Sequence, residues 1–402
     1  MYNFKTLKDF NFQHKRVLVR LDLNVPILDG KIIDETRIDK SLPTLLYLIK
    51  NNARIIVLSH LGRPKGQPKE DLSLKPVAIA LEKTLNTKVL FSPNCIGSDV
   101  RQLTSELLDG QVLLIENIRF FPEEEINCPH FSESLANLAD LFVNDAFSCS
   151  HRAHASTVGV TKYIPSCAGV LMRDELEALS NLLKKPKRPI AAVIGGSKIS
   201  TKMKVLNYLT ASVDYLIIGG GMANNFLLAQ GIFIGLSVCE KNMINAARQI
   251  IDLALERNCK IILPIDAKIS DRLENHAKMS VANVKSIPEG SMILDIGPKT
   301  QKVISSCLTD CKTVIWNGPL GAFEFKPFDE GTNFVARILA KRTSENKLRS
   351  VAGGGDTIAA LKNAKVIKNL SYVSSAGGAF LEWLEGESLP GVEALKIGIC
   401  KK

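Results

Sequence analysis

The sequence predicts an α/β protein of two doubly wound, Rossmann-like parallel-sheet lobes joined by a hinge helix, and three observations carry that expectation. The chain has 402 residues, more than one hydrophobic core usually organises. Short β-branched runs recur along it, each followed by a loop and then a helical pattern. The runs are apolar throughout, as in strands whose two faces are both covered by crossover helices.

In the first half the runs are Val17-Leu18-Val19, Arg54 to Leu58, Val112 to Ile115 and Leu141-Phe142-Val143. In the second half they are Ile190 to Ile194, Tyr215 to Ile218, Lys260 to Leu263, Thr313 to Trp316, Ser350-Val351-Ala352 and Tyr372-Val373-Ser374. The boundary falls between Cys167 and Arg188, where a helical stretch (Glu175-Leu176-Glu177-Ala178-Leu179) ends in the basic, proline-punctuated loop Lys184-Lys185-Pro186-Lys187-Arg188.

Composition narrows the function. A hydrophobic fraction of 46% with 23% charged residues is that of an ordinary globular protein. The net charge of +10 fits a nucleic acid, an acidic membrane surface or an anionic small substrate. The lysines are scattered, however, and the aromatic residues (6%) do not alternate with basic ones as in single-strand binders. The nine cysteines form no Cys-x-x-Cys pair, which argues against a disulfide framework and a zinc ribbon and for a reducing cytoplasm. Neither a signal peptide nor an apolar run of about 18 residues is visible.

Ligands of open parallel sheets bind outside the carboxyl ends of the strands. In the second half those ends are rich in glycine: Gly195-Gly196-Ser197-Lys198, Gly219-Gly220-Gly221, Gly353-Gly354-Gly355-Asp356-Thr357 and Gly377-Gly378. Glycine lets backbone N–H groups approach an anion, and the helix that follows adds partial positive charge. A single such loop serves tight packing equally well; several in one lobe point to a phosphate cradle. None is a Walker A sequence or a dinucleotide fingerprint. Asp356 suits Mg²⁺ on nucleotide phosphates, with an N-cap as its rival role. Lys198 and Lys202, four apart, share one side of a helix if it starts near Ser197, and fit phosphate contact or a solvated face.

The first half supplies cations and hydrogen-bonding groups at its strand ends: Asp22-Leu23-Asn24-Val25-Pro26, Ser59-His60-Leu61-Gly62-Arg63-Pro64, Glu116-Asn117-Ile118-Arg119-Phe120 and Asn144-Asp145-Ala146, leading to His151-Arg152-Ala153-His154. Arg37, Arg63, Arg119 and Arg152 suit an anion cage, because the guanidinium fork matches phosphate and carboxylate. The pair His151-x-x-His154 lacks a third metal ligand at a recognisable spacing, leaving substrate hydrogen bonding or packing.

Taken in order, these motifs, with Trp316-Asn317-Gly318-Pro319 and the closing Leu389-Pro390-Gly391-Val392-Glu393-Ala394-Leu395, closely resemble the phosphoglycerate kinase family from Arg16 onward. The resemblance implies reversible, Mg²⁺-dependent phosphoryl transfer between ATP and 3-phosphoglycerate, giving ADP and 1,3-bisphosphoglycerate, in glycolysis and gluconeogenesis. It implies a monomeric cytoplasmic enzyme that takes small-molecule substrates and neither nucleic acid nor membrane. It also implies a discontinuous first lobe, residues 1–170 with 388–402, binding 3-phosphoglycerate through Asp22, Leu23, Asn24, Arg37, His60, Leu61, Gly62, Arg63, Arg119 and Arg152. The second lobe, 171–387, then holds nucleotide: Lys202 on phosphates, Gly219 and Gly220 at the base, Asn317 and Pro319 nearby, Glu324 on the ribose, Gly353, Gly354, Gly355 and Thr357 at the last cradle, and Asp356 on the metal. Arg37, Lys198 and Lys202 are the implied catalytic cations. The chain departs from the family pattern at Thr201, where an acid is common, and at Ser148-Cys149.

An acceptor carboxylate is ionised at neutral pH, so its attack on the γ-phosphoryl needs no general base. Two other classes fit less well: a dehydrogenase using the Gly219 turn, which lacks the fingerprint, and a nucleic-acid binder drawn by the +10 charge, for which steep salt dependence is the test.

Overall fold

A computed structural model describes residues 4–183, 186–374 and 376–396. Lys184 and Lys185 of the basic loop, Ser375 and Cys400 lie outside the described residues. The chain divides into two compact units, Met1–Ser180 with Ser388–Lys402, and Asn181–Glu387, the division falling inside the helix Val170–Leu183.

The first unit is built on a six-stranded, all-parallel sheet in the order Val89–Ser92, Val112–Ile115, Arg54–Leu58, Arg16–Arg20, Leu141–Asn144, Ser166–Ala168. Its strands alternate between two cores. Val17, Val19, Ile55, Val57, Val112 and Leu114 pack on one face, with Leu45 and Leu48 of the helix Thr36–Lys50 and Val77 and Leu81 of Lys75–Leu85. Leu18, Ile56, Leu58, Leu113 and Ile115 pack on the other, with Val100 and Leu135. A period of two with both phases apolar is what continuous apolar runs become when a sheet is covered on both sides. The closing helix Pro390–Lys396 packs in this unit: Gly391 donates its N–H to the Ser150 carbonyl at 2.8 Å, and a Cβ on Gly391 would lie 2.9 Å from Ser150 Cα.

The second unit repeats the plan: Lys260–Ile262, Tyr215–Ile218, Ile190–Ile194, Thr313–Asn317, Arg349–Gly353, Tyr372–Ser374, all parallel. Each apolar run read from the sequence is one of these strands. An addition went unread: a three-stranded antiparallel sheet with Asp266–Ser270 between Ser280–Asn283 and Met292–Ile296. Its central strand reads Asp-Ala-Lys-Ile-Ser, too polar to register as a buried run, yet all five residues are buried.

Candidate active site

In the first unit the turns after neighbouring strands are tied together before any ligand is considered. Ser59 Oγ donates to the Leu21 carbonyl and accepts from Leu23 N–H, both at 2.9 Å. Asn24 Oδ1 accepts from Gly62 N–H at 2.8 Å. Arg119 Nη1 donates to the Gly62 carbonyl at 3.0 Å, and Asn117 Nδ2 to the Leu61 carbonyl at 2.7 Å. Asp22, Asn24, His60, Leu61, Gly62 and Arg119 therefore sit in one rigid group of turns. Gly62 is confined there: its φ of +60° favours glycine, and a Cβ would lie 2.7 Å from Leu72 Cδ2.

One carboxylate sits among the cations. Asp22 Oδ2 accepts from Arg37 Nη1 and from Ser148 Oγ. Burial works against the ionised form, but the Arg37 and Arg20 charges and the Ser148 hydroxyl outweigh it and hold the carboxyl below its usual range. His60 moves the other way. Its burial, joined by the nearby Arg20, Arg119 and Arg37 charges and only partly opposed by Asp22, pushes it well below the usual imidazole range, so it is neutral at pH 7. Its Nδ1 lies 3.0 Å from Arg20 Nη2, whose N–H groups can only donate, so Nδ1 accepts and the proton resides on Nε2.

Arg20 is the residue that sequence reasoning missed. It closes the first strand at 1% exposure, holds His60, and reaches Ser156 Oγ at 3.0 Å. Ser156 in turn donates to the fully buried Glu124 at 2.6 Å. The available signal was a charge ending the run Arg16 to Arg20 at a strand's carboxyl end.

Arg152 Nε donates to His151 Nε2 at 3.1 Å, while Arg63 is exposed on the turn after Gly62. His154 is buried with Nδ1 3.6 Å from Glu124. Asp22, His60 and Cys149 bring a carboxylate oxygen, an imidazole nitrogen and a sulfur within 4.8 Å of one another. The surrounding guanidinium groups repel a metal cation there, and burial raises the Cys149 thiol. The arrangement suits a small polyanion.

In the second unit the site is made largely of backbone. Gly195 is pressed on the turn after Asn317, where a Cβ would meet the Pro319 carbonyl oxygen at 1.8 Å. Gly318 has a φ of +97° and its N–H donates to Thr357 Oγ1 at 2.7 Å. Asn317 Nδ2 donates to the Gly353 carbonyl at 2.8 Å. Gly354 precedes the helix Gly355–Asn363, whose first turn carries the exposed Asp356.

Lys202 closes this arrangement. Its Nζ donates to the Gly195 carbonyl at 2.7 Å and to Asn317 Oδ1 at 2.5 Å. Burial lowers its pKa to about 8, against the pull of the Asp356 charge. Lys198 behaves differently. The helix Met203–Ser212 starts after Lys202, so the two lysines do not share its face, and Lys198 is exposed in the preceding turn. At the departure beside the lysine, Thr201 Oγ1 donates to the Lys198 carbonyl at 2.9 Å.

A cavity of about 430 Å³ opens beside these turns, lined by Gly196, Gly220, Pro319, Glu324 and Asp356 among others. Gly219 packs beneath it on Leu320. Met292 to Ile296, from the strand missed in the sequence, supply one wall. Backbone N–H groups, a helix N-terminus and a lysine around a partly apolar cavity suit a phosphorylated ligand with a flat apolar part. Asp356, exposed on the cavity wall, is the kind of oxygen ligand that Mg²⁺ takes together with phosphate.

The family model for phosphoglycerate kinase matches residues 7–387. The chain belongs to the phosphoglycerate kinase family. It is 49% identical over 394 residues to the phosphoglycerate kinase of Sinorhizobium medicae, covering 98% of this chain and 99% of that one. It is 50% identical over 393 residues to that of Sinorhizobium fredii, covering 98% of each. Solved structures agree: phosphoglycerate kinase from Coxiella burnetii superimposes with a TM-score of 0.90 at 43% identity, and that from Pyrococcus horikoshii with 0.83 at 31%, each covering 98% of both chains. As a phosphoglycerate kinase by family, the chain is a glycolytic enzyme acting on 3-phosphoglycerate and ATP.

Proposed function

We propose that the two substrates are divided between the units: 3-phosphoglycerate or 1,3-bisphosphoglycerate on the first, ATP or ADP with Mg²⁺ on the second. In the first, Arg37, Arg63, Arg119 and Arg152 neutralise phosphate and carboxylate, while Asp22, Asn24 and the Nε2–H of His60 read the hydroxyl and acid groups. Leu23, Leu61 and Gly62 hold the turns. In the second, Gly219 and Gly220 support the base side of the cavity, Glu324 takes the ribose, and Lys202, Asn317, Pro319 and Gly353 to Thr357 surround the phosphates. The observation that carries this assignment is Lys202, a largely buried ammonium held on Gly195 and Asn317 inside a glycine-built turn.

The acceptor carboxylate arrives ionised, so the site needs no proton acceptor, in keeping with a neutral His60 already bonded to Arg20. Arg37, Lys198, Lys202 and the helix start at Gly354 stabilise charge spread over the transferring group. Mg²⁺, held by Asp356, would supply further neutralisation of the nucleotide phosphates. Reactants held on different units must be brought to about 3 Å with water excluded, so a hinge motion belongs to the proposal. Compaction in small-angle scattering with both substrates present is the expected result. A monomer in the cytoplasm completes the reading.

The test is a coupled assay of ATP-dependent 3-phosphoglycerate phosphorylation, with and without Mg²⁺. Turnover that requires the metal is expected; folded protein turning over equally well in excess chelator would overturn the Asp356 assignment.

A further inference from the structure

One buried charge takes no part in the chemistry above. Lys268 is the central residue of the strand Asp266–Ser270 and only 2% exposed. A lysine there has lost its water and needs polar partners in its place. It has three: its Nζ donates to the Pro327 carbonyl at 3.1 Å and to the Glu330 carboxylate, and lies 3.7 Å from Asp295 Oδ2.

Asp295, on the adjacent strand Met292–Ile296, is 1% exposed. Its Oδ2 accepts the Gly331 N–H at 2.7 Å, in the first turn of the helix Glu330–Ser344. Its Oδ1 has no hydrogen-bond partner among the described residues. The carboxylate is wedged between two backbones, for a Cβ on Gly321 would lie 2.4 Å from Oδ1 and one on Gly331 2.3 Å. Gly321 belongs to the segment 318–325, which carries Pro319 and Glu324 and lines the 430 Å³ cavity together with Asp295. Two further bonds tie that segment to the same elements: Ala322 N–H to the Leu294 carbonyl at 2.7 Å, and Leu320 N–H to Thr332 Oγ1 at 3.0 Å.

We propose that Lys268 is a positioning residue for the nucleotide: by favouring the ionised form of Asp295, wedged between Gly321 and Gly331, it fixes segment 318–325 and so places Pro319 and Glu324 against the ligand. The proposal rests on the reading that this cavity holds the nucleotide. Three elements surround the carboxylate. The strand brings Lys268, the helix start brings Glu330 and the Gly331 N–H, and the segment brings the Gly321 backbone. Burial outweighs the Gly331 N–H, Lys268 and the Ile296 N–H, which lower the Asp295 pKa, and with Glu330 adding to the rise the carboxyl stands at about 7. Without Lys268 the carboxyl takes its proton at a still higher pH, so the wedge keeps less of its charge near neutrality.

The experiment measures both KM values and kcat against pH for the wild type, Lys268→Met, Lys268→Arg and Glu330→Gln, with Asn317→Ala alongside. Lys268→Met is expected to raise the nucleotide KM about tenfold. The acid KM and kcat should stay within about twofold, and the pH below which the nucleotide KM climbs should move upward. Lys268→Arg, which keeps the charge, should recover most of the loss. If Lys268→Met does not fold, Glu330→Gln carries the test in the opposite sense: losing the charge that raises the Asp295 pKa should move the pH below which the nucleotide KM climbs downward, with the acid KM unchanged. A folded variant with an unchanged nucleotide KM and pH profile would overturn the proposal, as would an acid KM that rises in step. Asn317→Ala tells the two levels apart. If it raises the nucleotide KM while the Lys268 variants do not, only the positioning role fails; if it leaves that KM unchanged, the location of the nucleotide fails and the proposal with it.

Discussion

The two units repeat one sheet plan but furnish its strand ends in opposite ways. In the first, the strand ends carry long cationic side chains, and the backbone mainly fixes where they start. In the second, the strand ends carry glycines whose backbone shapes the turns, with Lys202 a largely buried cation beside them. The difference follows from how each group tolerates change. A guanidinium fork can be lost without moving the chain, so such a variant should fold and fail in turnover. A glycine turn cannot accept a Cβ without moving backbone, so a variant there should lose binding and stability together.

Arg37→Ala is the sharpest probe of the side-chain site. Loss of an arginine that neutralises the transferring group should lower kcat by about 10³ or more, with circular dichroism and melting temperature close to wild type. Near wild-type turnover in steady-state assays would remove Arg37 from the transition state.

Gly195→Ala probes the backbone site. Its Cβ would stand 1.8 Å from the Pro319 carbonyl oxygen and 2.6 Å from its carbon. The turn must shift, and we expect a loss of about 2–3 kcal/mol in denaturant unfolding. The nucleotide KM should rise by about tenfold or more at an unchanged acid KM. Equal weakening of both substrates would blur the division between the units.

Ser148→Ala removes a neutral donor to Asp22. Its partner Arg37 remains, so the loss should be about 1 kcal/mol, read as a several-fold rise in the acid KM. The effect on the nucleotide KM should be nil.

The smallest effect is a proton. Lys202 titrates near 8 because burial disfavours its charge. Phosphates placed beside it favour that charge, so nucleotide binding near pH 8 should take up a fraction of a proton. Calorimetry in two buffers of different ionisation enthalpy reads it directly, and Lys202→Met should abolish it. Stability has a matching sign. Between about 8 and 10.5 the unfolded lysine binds the proton that the folded one has released, so this group's contribution to stability rises with pH across that window and is flat below it.

Much of this was legible in the sequence because buried parallel strands and glycine turns leave local signatures. Val17, Ile56, Leu113 and Val193 sit in runs whose both faces are covered, and Gly195, Gly318 and Gly354 mark turns where a Cβ would lie within 3 Å of a neighbour. What was not legible depended on partners remote in sequence. Arg20 reads as a surface charge until Ser156 and Glu124 fold over it. The strand of Lys268 reads as polar until Glu330 and Asp295 neutralise it. The hairpin Ile27–Leu28 with Lys31–Ile32 was missed for a different reason: its Asp29-Gly30 turn, with φ of 48° and 72°, is a strong local signal between strands of two residues each. The helix Met203–Ser212 starts later than the sequence suggested, after both Lys198 and Lys202.

The central claim is that each unit binds its own substrate, and calorimetric titration of the Arg63→Ala/Arg152→Ala double variant tests it most directly. We predict that 3-phosphoglycerate binding is lost while the ADP Kd stays within about twofold of wild type, because the nucleotide contacts lie on other residues. Undiminished 3-phosphoglycerate binding, or an ADP affinity that falls with it in a folded protein, would contradict the account.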